Sequence, residues 1–262
     1  AGQGLRVAHL FKTTVPYENT GGAIRCLNIV KFQKRLGMQP MVVTPLGYPG
    51  RGGSGAPWER EDVDGIPHFR LNGLSREDVR SVPLTRQLDF TALLTAHLLR
   101  AEGVDLVQAS SGYRGYEQAL VGLAVARRLG VPFVYEVRSY HEHTWRPMAD
   151  WALDAEMTRR RMAQEDRCMR EADAVVTICE TMKQGLVERG IPAGKIFVVP
   201  NSVDLEQFSP QPKDLALRER LGLRAATTAG YISNLSAREG HAVLVRAVAQ
   251  ARARGEGHLA VA

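Results

Sequence analysis

Arg138 closes the short apolar run Phe133–Val137, and His141 and His143 follow it closely. The carboxyl end of a strand is where parallel sheets place ligand-contacting residues. An arginine there can hold a phosphate or a sugar hydroxyl through its planar fork of donors. The competing reading is an ion pair with Glu136 or another acid. His141 and His143 have the His-x-His spacing of a metal pair. No third ligand accompanies them, so a polar loop lining is favoured and no metal is expected. Gly21 and Gly22 stand between a first strand and a helix. Two glycines let the backbone approach a phosphate, and a helix start offers free N–H groups. An ordinary strand-to-helix turn has the same spacing. The G-x-G-x-x-G fingerprint of a dinucleotide site is absent after that strand, and no Ser-His-Asp pattern calls for a protein nucleophile.

The elements that must carry these residues alternate along the chain. Apolar runs at Leu5–Phe11, Met41–Thr44, Ile66–Leu71, Asp105–Ala109, Phe133–Val137, Ala174–Ile178 and Ile196–Val199 read as strands. Helical spacing begins at Ala23, Leu27 and Val30, and continues in Thr85–Ala101, Tyr116–Leu129, Trp151–Glu171 and Met182–Arg189. Gly47–Gly65 reads as one long loop. The alternation predicts an α/β fold with a parallel sheet covered on both faces. After Pro200 the texture changes. Ser209, Pro210 and Pro212 mark a linker. Helix Leu215–Leu221, strand Thr228–Ile232, helix Gly240–Arg252 and strand His258–Val261 then form one βαβ unit. A unit of about 50 residues cannot bury both faces of a parallel sheet.

The chain has 262 residues, 44% of them hydrophobic, with a net charge of +6. That composition supports a packed core and excludes a disordered chain. The mild positive charge suits an acidic ligand or an anionic membrane surface. It is too weak, without a basic–aromatic motif, to imply nucleic acid. The three cysteines share no metal spacing and leave one unpaired, which favours buried thiols in a reducing compartment. No run is long enough to span a membrane. The strip "TRRRMAQEDRCMR" reads as a solvated helix face, or more sharply as peripheral contact near a lipid-linked acceptor.

Four stretches resemble a known family: "YENTGGAIR", "PFVYEVRSYHEHTW", "EADAVVTICETMKQGLVERGIPAGKIFVVPNSVDLEQF" and "GYISNLSAREG". They are similar to retaining glycosyltransferases of family 4, which have the GT-B architecture, and the second is like the exopolysaccharide-type relatives. The third stretch is the most specific. The resemblance implies a GT-B-like chain: a Rossmann-like acceptor-side domain over residues 1–201, a linker over 202–214, and the beginning of a nucleotide-sugar domain over 215–262. It implies transfer of a sugar from a nucleotide-diphosphate sugar to a carbohydrate or lipid-linked acceptor. The context is polysaccharide or glycolipid synthesis, in the cytoplasm or at the inner membrane face, with the nucleotide sugar as co-substrate and no cofactor. The family's paired-glutamate donor motif is expected beyond Ala262, so the chain is expected to be inactive alone. The alternative is a non-catalytic GT-B-like binding or scaffolding module.

On this resemblance Arg138 is the catalytic candidate, where many relatives carry a histidine. Gly21, Gly22 and Arg238 are donor contacts. Glu18, His141 and His143 are acceptor contacts. Asn201 and Ser202 form the hinge, Asn201 suiting a turn or left-handed position. Ser202 replaces the family's usual glycine, which strains the backbone if φ is positive there. Asn234 and Glu239 stand where the family has its diphosphate-binding arginine and lysine.

Overall fold

The computed structural model describes residues 4–50, 55–72, 81–111, 116–140, 156–223, 227–233, 239–255 and 259–261. These divide into two compact units, Ala1–Asn201 and Ser202–Ala262.

The first unit is a sheet of eight strands. In chain order they are β1 (Arg6–Leu10), β2 (Gln39–Thr44), β3 (Trp58–Val63), β4 (Ile66–Leu71), β5 (Leu106–Ser110), β6 (Phe133–Val137), β7 (Ala174–Thr177) and β8 (Ile196–Val198). In space they run β3-β4-β2-β1-β5-β6-β7-β8. Every neighbouring pair is parallel except β3 and β4. The chain proceeds outward from β1 through β2 to β4, then returns to β1's other side at β5. Such a reversal opens a crevice at the carboxyl ends of the strands.

Among the described residues five helices cover this sheet: α1 (Gly21–Arg35), α2 (Leu84–Glu102), α3 (Glu117–Leu129), α4 (Glu156–Glu171) and α5 (Glu180–Glu188). Strand side chains alternate faces, and the core divides accordingly. Leu10, Val43, Leu99, Val121, Tyr135, Met169 and Leu186 belong to one large cluster that binds α2 to α5 to one face. Phe11, Val42 and Ile66 point the other way and meet Cys26 and Val30 of α1. Among the described residues α1 therefore holds its face alone. Thr20 caps it by accepting from the Ala23 N–H at 3.3 Å, and Lys34 and Arg35 end it. Both ends suit the helix dipole. On the crowded face, α3 lies so close to the sheet that a Cβ on Gly122 would stand 2.6 Å from the Phe133 ring.

The expected loop over Gly47–Gly65 is corrected by the structure. Residues 58–63 form the antiparallel edge strand β3, joined to β4 by a tight hairpin. Asp64 and Gly65 have φ of 53° and 71°, as a type I′ turn requires. Asp62 Oδ1 accepts from the Gly65 N–H at 2.6 Å. The stretch hid because its residues, "WEREDV", are mostly charged. Charge is how an exposed sheet edge avoids pairing with another chain.

The second unit holds α6 (Leu215–Arg220), then β9 (Thr227–Ala229), α7 (His241–Ala253) and β10 (Leu259–Val261). The two strands pair in parallel. Asp214 caps α6, accepting from the Leu217 N–H at 2.8 Å. Among the described residues no helix is long and apolar enough to cross a membrane.

Candidate functional site

Glu136, near the end of β6, is buried, with 1% of its side chain exposed. Two arginines converge on it. Arg25, one turn into α1, places Nη2 at 2.8 Å and Nε at 3.1 Å from Oε1. Arg138 brings Nε to 3.4 Å from Oε2. Burying a lone carboxylate is strongly unfavourable, so this pairing is what lets Glu136 stay inside. One negative and two positive charges leave the cluster with a net positive charge at the carboxyl edge of the sheet.

Arg138 is the sequence candidate, and its ion pair with Glu136 is the plainer of the two readings of it. Its fork also reaches α1: Nη1 donates to the Gly22 carbonyl at 3.2 Å and Nη2 to Cys26 Sγ at 3.1 Å. The guanidinium carbon lies 5.8 Å from the centre of the Phe11 ring. Its backbone N–H donates to Ser111 Oγ at 3.2 Å, locking the ends of β5 and β6 together. Burial disfavours the Arg138 cation, but Cys26 and Glu136 beside it prevail and its pKa moves up. Burial also pushes the Cys26 thiol up.

Gly21 and Gly22 are the first residues of α1 and both are exposed. A Cβ on Gly21 would meet nothing within 4 Å, and one on Gly22 only Thr20 Oγ1 at 3.9 Å. Packing does not demand glycine at either place. What glycine leaves there is an open backbone at a helix start, the arrangement that accepts a phosphate.

Glu18 sits half-buried in the loop before α1. A second cluster fixes that loop. Arg70 of β4, 1% exposed, pairs with Glu61 of β3 at 3.1 Å and donates to Thr14 Oγ1 at 2.7 Å. Its guanidinium faces the rings of Tyr17 and Tyr48 at 5.3 and 5.7 Å. Tyr17 also hydrogen-bonds Glu61.

Asn201 ends the first unit. Its Oδ1 accepts from Arg25 Nη1 at 2.7 Å. The same guanidinium reaches the carbonyls of Val199 and Pro200 at 3.2 and 3.4 Å. The left-handed position suggested for Asn201 is not adopted: among the described residues only Asp64 departs from negative φ without being glycine. Ser202 therefore carries no backbone strain in glycine's place. Arg238, Asn234, His141 and His143 lie outside the described residues. Glu239 accepts a hydrogen bond from the Tyr231 hydroxyl at 3.1 Å.

The structure thus gathers Gly22, Glu136, Arg138 and Asn201 around a residue not singled out from sequence, Arg25. Its one signal is its place, a single turn after the glycine pair. The expectation that the thiols are buried also needs correction. Cys26 and Cys168 are buried, but Cys179, at the start of α5, is exposed. Among the described residues no cluster of His, Cys, Asp or Glu could hold a metal ion.

The family model described as "Glycosyl transferase 4-like domain" matches residues 20–202. The D-inositol 3-phosphate glycosyltransferase of Stackebrandtia nassauensis is 32% identical over 210 residues, covering 76% of this chain and 43% of the relative. The GDP-mannose-dependent alpha-mannosyltransferase of Mycobacterium tuberculosis is 26% identical over 241 residues, covering 89% and 57%. The chain thus spans about half the length of these curated relatives. Among solved structures, sucrose-phosphate synthase from Thermosynechococcus elongatus superposes with a TM-score of 0.67 at 16% identity, over 94% of this chain and 60% of that one. Anabaena Alr3699/HepE in complex with UDP gives 0.63 at 17%, over 94% and 58%. The fold class is therefore the α/β, GT-B-like one expected.

Proposed function

The chain belongs to the glycosyl transferase 4-like domain family, and from that membership we propose that it serves an enzyme moving a sugar from a nucleotide-diphosphate sugar to an acceptor hydroxyl. Transfer proceeds with retention, in the making of a polysaccharide or glycolipid. Residues 1–201 form the acceptor side, 202–214 the linker, with Asn201 and Ser202 as its hinge, and 215–262 belong to the nucleotide-sugar side.

The observation that supports this reading is the buried Glu136 holding Arg25 and Arg138 beside the open start of α1. The departing diphosphate develops negative charge, and fixed cations and N–H groups at that point lower the barrier. Arg138 supplies the cation at the reacting centre. Gly21 and Gly22, with Arg238, approach the donor. Glu18, His141 and His143 contact the acceptor, whose hydroxyl attacks on the face the diphosphate leaves. No covalent protein intermediate forms. The name of the Mycobacterium tuberculosis relative supports a nucleotide-sugar donor, and HepE has been solved with UDP-glucose.

Calorimetric titration and turnover with UDP-glucose and GDP-mannose, on the intact gene product, test the proposal. One donor is expected to bind and react, and Arg138→Ala is expected to lower kcat/KM by about 100- to 1,000-fold. Absence of turnover with every nucleotide sugar tried, across a panel of acceptors, would overturn it. One sequence feature favours the second reading, a binding module: on the family resemblance, Glu239 occupies the position of a diphosphate-binding lysine. Tight nucleotide-sugar binding without turnover would select that reading.

A further inference from the structure

On the face of the sheet opposite α1, the carboxyl ends of β1 and β2 and the first turns of α2 and α3 enclose a cavity of about 210 Å³. That is roughly seven waters' share of liquid volume, and smaller than the pockets of about 300–1,000 Å³ that take drug-sized ligands. It fits a single ring. Among the described residues, two side chains lining it carry polar atoms with no hydrogen-bond partner: Thr95 Oγ1 and Gln118 Oε1. Thr95 is 0% exposed and Gln118 8%. Thr91, one turn before Thr95, disposes of its hydroxyl in the usual way, donating to the Gln87 carbonyl at 2.7 Å. Thr95 does not. A valine there would fill the same volume without burying an unpaired hydroxyl.

We propose that this cavity binds a compact, uncharged ring polyol, a monosaccharide or a cyclitol, through Thr95 and Gln118. Three features select that class. The Thr95 hydroxyl and the Gln118 amide each can donate or accept, as ring hydroxyls also can, whereas a phosphate or carboxylate at neutral pH only accepts. Lys12 and Glu117, which also line the cavity, carry opposite charges that cancel. The remaining walls include Leu10, Leu88 and Val121, which suit the C–H faces of a ring whose edges carry the hydroxyls. Lys12, Leu84 and Gln87 are only half-buried, so the cavity reaches solvent. Leu10 and Phe11 both line this cavity, and the centre of the Phe11 ring lies 5.8 Å from the Arg138 guanidinium carbon. The assignment rests on the sugar-transfer reading insofar as the bound ring is taken to be the acceptor or part of it.

Saturation-transfer NMR and crystal soaks with myo-inositol and with methyl α-glucoside test the site in wild type, Thr95→Val and Gln118→Leu. At least one ring is expected to bind wild type, and cyclohexanol at least tenfold more weakly. Each substitution is expected to weaken binding by about three- to tenfold. Thr95→Val is expected to melt no lower than wild type, because its hydroxyl has no partner to lose. Binding of neither polyol, binding unchanged in both variants, or a soaked cavity holding water alone overturns the proposal. Titrating UDP-glucose and GDP-mannose in parallel separates the two claims. A nucleotide sugar bound without a polyol removes this site and leaves the transfer reading standing. A polyol bound without any nucleotide sugar keeps the site and removes the transfer reading.

Discussion

Arg25 of α1 donates to Asn201 Oδ1 at 2.7 Å, and with the rest of its fork holds the buried Glu136. One side chain thus ties the helix after β1 to the strand carrying Arg138 and to the chain leaving β8. The carboxylate is the centre of this arrangement. Glu136→Gln keeps the shape but leaves two guanidinium groups, 15% and 14% exposed, facing each other without a counter-charge. Breaking a buried pair in this way costs about 3–5 kcal/mol. Urea unfolding should show the midpoint fall with an unchanged slope. A loss under about 1 kcal/mol would mean that the cluster contributes no stability.

His9 gives the first unit a sensitivity to acid. It is buried, its Nε2 lies 2.6 Å from Gln33 Oε1, and burial takes its pKa from 6.5 down to about 4. The unfolded chain takes up a proton on His9 below about pH 6.5, whereas the folded chain does so only near pH 4. Stability is therefore full above the unfolded value and declines as pH falls through that window, by about 3 kcal/mol. His68, also lowered by burial, acts in the same direction. Thermal melts between pH 7 and pH 4 should show the decline, and His9→Gln should flatten it. An identical slope in that variant would assign the effect elsewhere.

Thiol chemistry should single out one cysteine. Burial pushes Cys168 up to about 12 and raises Cys26 as well, so neither forms the reactive thiolate near neutrality. Cys179 is exposed. With an aromatic disulfide reagent at pH 8, one thiol should react quickly in the native protein and all three in denaturant. Peptide mapping should find the fast label on Cys179. Rapid labelling of Cys26 would mean that the Arg138 contact opens readily.

Much of this fold can be read from the sequence, for a definite reason. Strands buried on both faces are continuous apolar runs, so Phe133–Val137 and Ala174–Thr177 stand out, and glycine marks the ends of several helices between them. The edge strand β3 carries no such run, because one side of it needs no partner. Asp-Gly at 64 and 65 has the composition of a hairpin turn, but the charged residues before it match no strand pattern. The site divides in the same way. Gly21, Gly22 and Arg138 lie at strand ends or helix starts, which local patterning locates. Arg25 lies inside a helix, and its partners are 111 and 176 positions away. Only the strand order brings β6 and β8 to α1, and periodicity carries no information about strand order. The rotamers of Thr95 and Gln118 are equally invisible: a buried threonine in a helix ordinarily bonds its own backbone.

Gly21 separates a role in folding from a role in binding. A methyl group there meets no atom within 4 Å, and alanine favours a helix over glycine by up to about 1 kcal/mol. On fold alone, Gly21→Ala should leave the melting temperature unchanged or raise it. A donor phosphate that approaches this backbone would collide with the new methyl, so nucleotide-sugar affinity in the intact enzyme should fall about tenfold or more. Gly21→Asp adds a negative charge at the same point and should weaken binding further, even though an acidic residue suits the first turn of a helix. Stability and affinity are thus expected to move in opposite directions. If both variants bind donor as wild type does, the glycine pair is only a strand-to-helix turn, and the positive charge around Glu136 must act without it.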